Sequence, residues 1–439
     1  MIKLYFNKYI KIERGFIMLL KNATFLSNEM KFEKGDLYIT DGTIHFESTI
    51  DSEETIDCTN YLILPGLINA HFHSYSPLTR GLVKDMGIQD WCNDSKQGKI
   101  QQLFFDYIDN IVSKEDFVWA AKKSYLDMIR CGVTFVSDSD PGDYPKLLSK
   151  AMNDIGIRGI IDVYDAIDDY LESDHHVLFG THLLEEEDIT EESLQFLMQM
   201  KNDDHIKMTH CMENRWRNDL VKNQFNKSSV ELYDQKSLLD NKTVLFHGVY
   251  LSNSDFEIIA KYGSSIVHCP VSNLATGAGI ANIGSMLQKG INVCLGTDYA
   301  ETNMWETMRM SYYLLKVNQP VEEFSAENIF KMAIPHGAKA YGLEREIGQI
   351  QEGYKADLVF IKKEDFLLPS LETEHYSTLL HNLLLYLKED SIKHVMIDGK
   401  WIMKERQIQT IDQQKVEQKY KEVVNGFIEY VHQKEITMK

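Results

Sequence analysis

The chain has 439 residues, of which 44% are hydrophobic, and this length is enough for one barrel-sized domain with a large core plus a smaller satellite. Its formal net charge of −20 repels nucleic-acid phosphates and anionic membrane surfaces, and no apolar run approaches the roughly 20 residues of a transmembrane helix. We therefore expect no nucleic-acid or membrane partner. The six cysteines form no CxxC pair, which favours a reducing cytoplasm as the location of the protein.

Strand-like segments begin near the N-terminus. A first strand is predicted to start at Met18, and residues 1–17 are expected to form an extension outside the fold. The dipeptide Asp41-Gly42 lies between two β-prone runs, which predicts a hairpin with a type I′ turn over residues 36–44.

Strand-like and helix-length segments then alternate through the middle of the chain. Strands that alternate with helices favour a parallel sheet, and eight repeats favour a closed (β/α)₈ barrel of TIM type over an open doubly wound sheet. We therefore expect an α/β fold with functional groups at the C-terminal ends of the strands. The eight strand candidates lie at residues 62–70, 134–138, 159–164, 177–181, 206–209, 243–246, 265–267 and 292–296.

Two strand-rich pieces, at residues 353–361 and 394–402, follow the barrel pattern. The chain therefore has short strand-like segments at both of its ends.

The first barrel strand leads into His71-Phe72-His73. Strand alternation turns both imidazoles to the same side, and two nitrogens spaced in this way can bind one metal ion. Taken alone, such a pair more often marks a polar strand end, so the interpretation depends on the other strands.

Polar residues also follow the fifth, sixth and eighth strand candidates. His210 and Glu213 lie within one turn of chain after the fifth, His247 follows the sixth, and Asp298 follows the eighth. Each alone is typical of a core histidine, a cap or a turn. Together with His71 and His73, His210 and Asp298 make an N₃O donor set suited to Zn²⁺ or Fe²⁺ with room for water. Glu213 then faces the substrate as an acid/base group.

These residues stand in motifs that resemble the amidohydrolase superfamily. The resemblance is to its branch of aromatic deaminases and chlorohydrolases, which includes S-adenosylhomocysteine, guanine and cytosine deaminases. The matching motifs, in the family's order, are PGLINAHFH (65–73), HCME (210–213), HG (247–248), HCPVSNL (268–274) and LGTD (295–298). Residues 348–358 resemble the point where such chains return from the barrel to the small β-sandwich. The resemblance implies a composite β-sandwich with a C-terminal helix, formed by residues 18–64 and 348–439, beside a hydrolase barrel over residues 65–347.

The resemblance implies a mononuclear metal site. One divalent ion, with zinc preferred over iron, would be bound by His71, His73, His210 and Asp298. The position of His247 is similar to that of the family histidine that hydrogen-bonds the attacking water. Glu213 resembles the family's proton shuttle to a ring nitrogen, and Asp298 would help to accept the water's proton.

This ligand set predicts a hydrolytic reaction. A bound cation lowers the pKa of water from about 15.7 to about 7, which supplies hydroxide at neutral pH. An aromatic carbon that carries an amino group is a poor electrophile, so attack needs protonation of the adjacent ring nitrogen, for which Glu213 is placed. We expect hydrolytic deamination of a small aminated N-heterocycle (a purine, pyrimidine, pterin or nucleoside-like ring) with release of ammonia.

Two other interpretations stay open. On the same fold, the enzyme would instead hydrolyse a cyclic amide or a ring halide, and measuring ammonia release separates these reactions from deamination. The other interpretation is a metal-stabilised binding protein without turnover, which the apparently complete ligand set and two proton-transfer groups disfavour.

Three further residues are candidates for substrate binding. His182 is similar to a family histidine of the fourth strand that contacts substrate, whereas Asn303 and Trp305 follow the eighth strand in a loop where pocket residues gather. Helix packing is the simpler role for Trp305. The acidic run at residues 185–188 predicts a solvated helix start. By analogy with the family, we expect a small-molecule heterocyclic substrate and a homo-oligomer.

Overall fold

A computed structural model describes residues 17–47, 51–82, 85–139, 144–164, 167–170, 176–200, 205–373 and 376–437. Its strands form two sheets. Within these residues the strands are Ile17–Leu26 (β1), Phe32–Thr40 (β2), Thr43–His45 (β3), Glu54–Asp57 (β4), Tyr61–Pro65 (β5), Leu67–Phe72 (β6), Val133–Asp138 (β7), Arg158–Val163 (β8), Val177–His182 (β9), Lys207–Cys211 (β10), Thr243–His247 (β11), Ser265–His268 (β12), Asn292–Leu295 (β13), Leu358–Lys362 (β14), Ile392–Ile397 (β15), Lys400–Lys404 (β16) and Gln407–Ile408 (β17).

Helices follow most of the strands in the middle of the chain. The α-helices of the described residues are Lys96–Asp106 (α1), Lys114–Arg130 (α2), Pro145–Ile155 (α3), Glu191–Met200 (α4), Arg215–Phe225 (α5), Ser229–Gln235 (α6), Asn253–Tyr262 (α7), Pro270–Ala275 (α8), Ile283–Gln288 (α9), Met304–Asn318 (α10), Ala326–Ala333 (α11), Pro335–Ala340 (α12), Leu379–Tyr386 (α13) and Gln413–Thr437 (α14). None of these helices has an apolar stretch long enough to cross a lipid bilayer.

Strands β6 to β13 form a parallel sheet in which each strand pairs with its neighbours in the chain. Nearly every residue of these strands is buried, as expected where a parallel sheet is covered on both faces. The sheet closes where the chain after β13 returns to β6, and the backbone N–H of Asp298 donates a hydrogen bond to the carbonyl oxygen of His71. The predicted (β/α)₈ barrel is confirmed.

The two ends of the chain share a second sheet. Strands β1 to β5 and β14 to β17 form one nine-stranded mixed sheet. Asp41 and Gly42, at φ values of 50° and 78°, form the predicted turn between β2 and β3. A second Asp-Gly pair, at positions 398 and 399, turns the chain between β15 and β16, so the strand-rich piece at 394–402 is a hairpin.

The first strand candidate, residues 62–70, is not one strand. Its first part belongs to β5 in the terminal sheet, and its second part belongs to β6 in the barrel. Gly66 separates them and packs so closely against Thr134 that a Cβ at position 66 would lie 1.8 Å from the threonine Oγ1. Both halves are apolar and buried, so hydrophobic pattern alone does not reveal the change of sheet.

The predicted N-terminal extension lies almost entirely outside the described residues. Ile17, its last residue, is the first residue of β1. The division into domains at residues 65 and 347 stays a prediction.

Candidate active site

Five of the predicted site residues stand at the C-terminal rim of the barrel. His71 lies in β6 with His73 just after the strand, His210 lies in β10, His247 ends β11, and Asp298 follows β13. Because parallel strands present their C-terminal ends at one rim, residues that are far apart in sequence meet there.

The five side chains form a buried cluster. The Nε2 atoms of His71 and His73 each lie 3.2 Å from Oδ1 of Asp298, and Nε2 of His247 lies 3.9 Å from Oδ2. One potential ligand atom from each of His71, His210, His247 and Asp298 lies within 4.8 Å of the other three. This group of four contains His247, and His73 contacts the same Asp298 carboxylate.

This donor set fits a divalent cation. The Nε2 atoms of His71 and His247 are buried, and neither makes a well-aligned hydrogen bond in the part of the chain that the structure describes, although the Asp298 carboxylate lies 3.2 and 3.9 Å away, respectively. Burial lowers the pKa of His71 well below its usual value, which keeps the imidazole neutral, as metal binding requires. Burial alone would raise the pKa of Asp298, but the neighbouring His247, His71 and His73 hold it well below the usual range. The cluster thus offers a neutral imidazole at His71 and an ionised carboxylate at Asp298.

The other ring nitrogen of three of these histidines contacts a polar side chain. Nδ1 of His71 lies 3.2 Å from Oγ of Ser139, and Nδ1 of His247 lies 2.8 Å from Oδ1 of Asn273. Nδ1 of His210 lies 2.7 Å from Oε1 of Glu185. Such contacts fix the tautomer of an imidazole and direct its Nε2 lone pair, as the second contacts of metal-binding histidines do.

Two residues of the cluster have unusual backbone conformations. His247 has φ of 69° and Asp298 has φ of 60°, a region that non-glycine residues seldom adopt. The strand ends are held by hydrogen bonds from Gly248 N–H to the Cys211 carbonyl and from Asp298 N–H to the His71 carbonyl. Strain of this kind is retained where the surrounding structure over-determines it, commonly at functional sites.

A cavity of about 280 Å³ opens onto the cluster. Glu213 is only 3% exposed and lies at this cavity, with its Oε2 3.3 Å from Nη1 of Arg217. The rings of Trp91 and Tyr299 are in contact, with their centroids 4.9 Å apart and their planes tilted by 44°. A flat ring could therefore contact aromatic side chains while it reaches the polar cluster. The lining residues are His73, Tyr75, Ile88, Trp91, Phe105, Glu187, His210, Glu213, Trp216, Arg217, Ser272, Thr276, Asp298 and Tyr299.

The three residues predicted to bind substrate are not among the residues that line this cavity. Nδ1 of His182 contacts Oδ2 of Asp162 at 3.0 Å. Asn303 caps helix α10 by accepting a hydrogen bond from the backbone N–H of Trp305, and its side-chain amide donates to Glu389. Trp305 is fully buried and donates its indole N–H to the carbonyl of Cys131.

The acidic run at residues 185–188 is a solvated helix start only in its second half, because Glu187 and Asp188 are exposed and belong to a 3₁₀ turn at Glu186–Asp188. Glu186 is 3% exposed, the side chain of Glu185 is 12% exposed, and Glu187 lines the cavity. Nη2 of Arg217 lies 2.7 Å from Oε1 of Glu187, so one guanidinium joins this run to Glu213. Hydrophobic pattern does not reveal these roles. The signals that indicate them are the position of the run just after a barrel strand and the i,i+4 spacing of Glu213 and Arg217.

The chain is similar to known proteins in both sequence and fold. A sequence model of the amidohydrolase family matches residues 62–402. A 5-methylthioadenosine/S-adenosylhomocysteine deaminase of Pyrococcus horikoshii is 30% identical over 401 residues, covering 84% of this chain and 89% of the relative. A 5′-deoxyadenosine deaminase of Methanosphaera stadtmanae is 28% identical and covers 90% of this chain and 96% of the relative. The crystal structure of an adenosine deaminase from Xanthomonas campestris with bound zinc has a TM-score of 0.82 at 19% identity, covering 94% of this chain and 99% of that one.

Proposed function

This chain belongs to the amidohydrolase family and is a hydrolase that deaminates an N-heterocycle, and from that premise we propose that its substrate is an adenosine-type nucleoside. The observation that carries the proposal is the meeting of Glu213, His210 and Asp298 at one aromatic-lined cavity. The names of the two relatives support the substrate class, because each name gives an adenosine derivative as the compound that is deaminated.

We propose zinc as the metal. The residues that would hold it are His71, His73, His210 and Asp298, whose nitrogens and carboxylate are donors that zinc accepts. When bound, a divalent ion lowers the pKa of a coordinated water from about 15.7 to about 7.

His247 and Asp298 would take the proton of the attacking water. The contact with Oδ1 of Asn273 favours the tautomer of His247 in which Nδ1 carries the hydrogen, which leaves Nε2 as a proton acceptor. That Nε2 is buried and lies 3.9 Å from Oδ2 of Asp298, so the two acceptors face the same small volume. The arrangement supports removal of a proton at this point and its retention during attack.

Glu213 would deliver a proton to the substrate. Protonation of the ring nitrogen next to the amino-bearing carbon makes that carbon electrophilic, and a second transfer to the amino group turns it into a leaving ammonia. A carbon–oxygen bond forms, the carbon–nitrogen bond breaks, and water plus the amine give the oxo product plus ammonia. The low exposure of Glu213 supports this role, because a buried carboxyl moves its proton to the bound ring and not to bulk solvent.

The aromatic side chains would bind the ring. The cavity beside His73 is lined by Trp91, Tyr75 and Tyr299. Stacking on aromatic side chains would bind different heterocyclic rings about equally well, so the polar cluster would select the group attached to the ring. A cavity of about 280 Å³ has room for a ring system with a substituent rather than for a polymer.

A substrate panel tests the proposal. Protein loaded with zinc and, in parallel, with iron is incubated with adenosine, 5′-substituted adenosines, guanine, cytosine and a pterin, and ammonia and the oxo product are quantified. We expect the highest kcat/KM for an adenosine-type compound. A matched 6-chloropurine nucleoside, assayed for chloride, separates deamination from ring dehalogenation. Absence of ammonia with every amine would contradict the proposed function.

A further inference from the structure

We propose that Glu185 is a positioning residue that orients the metal ligand His210 and ties it to the acid/base residue Glu213. The proposal rests on the function proposed above, because it concerns the same site. It goes further by assigning a role to a residue that no motif of the sequence marks.

Glu185 contacts His210 directly. Its Oε1 lies 2.7 Å from Nδ1 of His210, and its side chain is 12% exposed. A carboxylate at this distance accepts the Nδ1 hydrogen, which leaves the Nε2 lone pair of His210 for the metal. The corresponding Nδ1 contacts of His71 and His247 are to a hydroxyl and an amide, so among the described Nδ1 partners of these three rings Glu185 is the one that can be ionised. A charged acceptor also raises the basicity of the ring that it contacts.

Cationic groups hold Glu185 on two sides. Nε2 of His182 lies 3.1 Å from Oε1, and Nη1 of Arg217 lies 2.8 Å from Oε2. A buried carboxylate requires such partners, because an unpaired buried charge is strongly unfavourable. His182 is in turn held by Asp162. Burial opposes a charge on His182, but its contacts as a donor to the Asp162 and Glu185 carboxylates raise its pKa to about 10. His182 therefore acts on the site through Glu185.

Arg217 extends the connection to Glu213. The same Nη1 atom that faces Glu185 lies 3.3 Å from Oε2 of Glu213. Helix α5 begins at Arg215 and is capped by Asn214, whose side chain accepts a hydrogen bond from the Arg217 backbone N–H. This cap fixes the backbone from which the Arg217 side chain extends. A displacement of Glu185 would consequently disturb both the metal ligand and the proton-transfer group.

Zinc affinity tests the proposal without reference to turnover. Metal-depleted wild type, Glu185→Gln and Glu187→Gln are titrated with Zn²⁺ in competition with a chromogenic chelator. Both substitutions remove one negative charge from the same loop, and both positions contact Arg217, but only position 185 contacts His210. We expect Glu185→Gln to weaken zinc binding about 10- to 100-fold and Glu187→Gln to leave it within about twofold.

Several outcomes overturn the proposal. It fails if Glu185→Gln binds zinc as tightly as wild type, if Glu187→Gln weakens binding to the same extent, or if the wild type binds no metal. Where Glu185→Gln does not fold, Glu185→Asp serves instead, since it keeps the charge but shortens the reach to Nδ1; wild-type affinity in that variant also overturns the proposal. The visible spectrum of the cobalt-substituted proteins reports the same change at the metal.

The two proposals fail separately. Ammonia release by the wild type tests the function, whereas the ratio of zinc affinities tests the role of Glu185. A wild type that binds zinc but deaminates nothing removes the proposed function and leaves the positioning role intact.

Discussion

Asp298 and His71 contact each other twice: the Asp298 backbone N–H donates to the His71 carbonyl at 2.9 Å, and the Asp298 carboxylate lies 3.2 Å from the His71 imidazole. The first contact closes the barrel between the chain after β13 and β6. The second joins two candidate metal ligands. Closure of the barrel and assembly of the site therefore depend on the same two residues, His71 and Asp298.

Gly296→Ala should damage both. A Cβ at position 296 would lie 2.9 Å from the Cβ and backbone nitrogen of His71, so the backbone near His71 must move. We expect a loss of about 1–3 kcal/mol in the free energy of unfolding, as for other overpacked cores, together with weaker zinc binding. Gly35→Ala is the matched control, because a Cβ there makes an ordinary 3.7 Å contact with Phe25. Thermal unfolding and zinc titration measure the effects, and equal behaviour of the two variants would contradict the argument.

Glu213→Gln should separate metal binding from turnover. The amide keeps the size of the side chain but cannot carry a proton, so we expect kcat to fall about 10²- to 10⁴-fold while zinc content stays at the wild-type level. Glu192→Gln, at an exposed position on helix α4, is the control. Ammonia release and metal analysis of the purified variants are the measurements. A fully active, zinc-loaded Glu213→Gln would remove Glu213 from the mechanism.

Removal of the metal should abolish activity and lower stability. Ligands that bind only the folded state stabilise it by about 2.7 kcal/mol at a concentration 100 times the Kd. The protein stripped by a chelator should therefore melt at a lower temperature and recover activity on addition of zinc. Unchanged turnover and melting after stripping would refute a metal-dependent site.

Two tryptophans distinguish cavity from core. Trp91→Ala should raise KM about 5- to 150-fold, the equivalent of about 1–3 kcal/mol for one aromatic stacking contact, because Trp91 lines the cavity. Trp305→Phe should leave KM unchanged and destabilise the protein by about 1–3 kcal/mol, because its indole N–H bonds the Cys131 carbonyl in the core. Steady-state kinetics and chemical denaturation decide the matter. A larger KM effect at Trp305 than at Trp91 would contradict the location of the cavity.

The sequence predicted those parts of the molecule that depend on local pattern. Turn chemistry located the hairpin at Asp41-Gly42, and the strand-end rule located His71, His210 and Asp298 at one rim. The division of residues 62–70 between two sheets escaped prediction, because it depends on backbone partners that are distant in sequence: the Gly66 N–H donates to the Asp357 carbonyl, whereas the Leu67 N–H donates to the Gly132 carbonyl.

Contacts between residues that are distant in sequence account for the other differences. The run at 185–188 has the composition of a solvated helix start, and only its burial against Arg217 and His210 converts it into part of the site. Trp305 follows the eighth strand, as cavity residues do, but the cap at Asn303 starts helix α10 and turns its indole into the core. Position after a strand thus predicts proximity to the rim, whereas the direction of a side chain depends on partners that are distant in sequence.

Glu186 should make stability depend on pH. Its Oε1 accepts hydrogen bonds from Met212 N–H and Ser229 Oγ, while its Oε2 is buried and has no hydrogen-bond partner among the described side chains and backbone. Burial raises the pKa of Glu186 from 4.5 to about 7. The folded state therefore keeps a proton that the unfolded state has lost between pH 4.5 and 7.

Because the folded state binds more protons in that window, the contribution of Glu186 to the free energy of unfolding is fully present below pH 4.5 and is lost as the pH rises through about 7. Glu186→Gln stays neutral, so the variant should match the wild type at pH 4.5 and exceed its stability by at most about 3 kcal/mol at pH 8. Urea denaturation at several pH values measures the difference, with Glu192→Gln as an exposed control whose profile should follow the wild type. A difference between Glu186→Gln and wild type that does not change between pH 4.5 and 8 would show that Glu186 is ionised throughout.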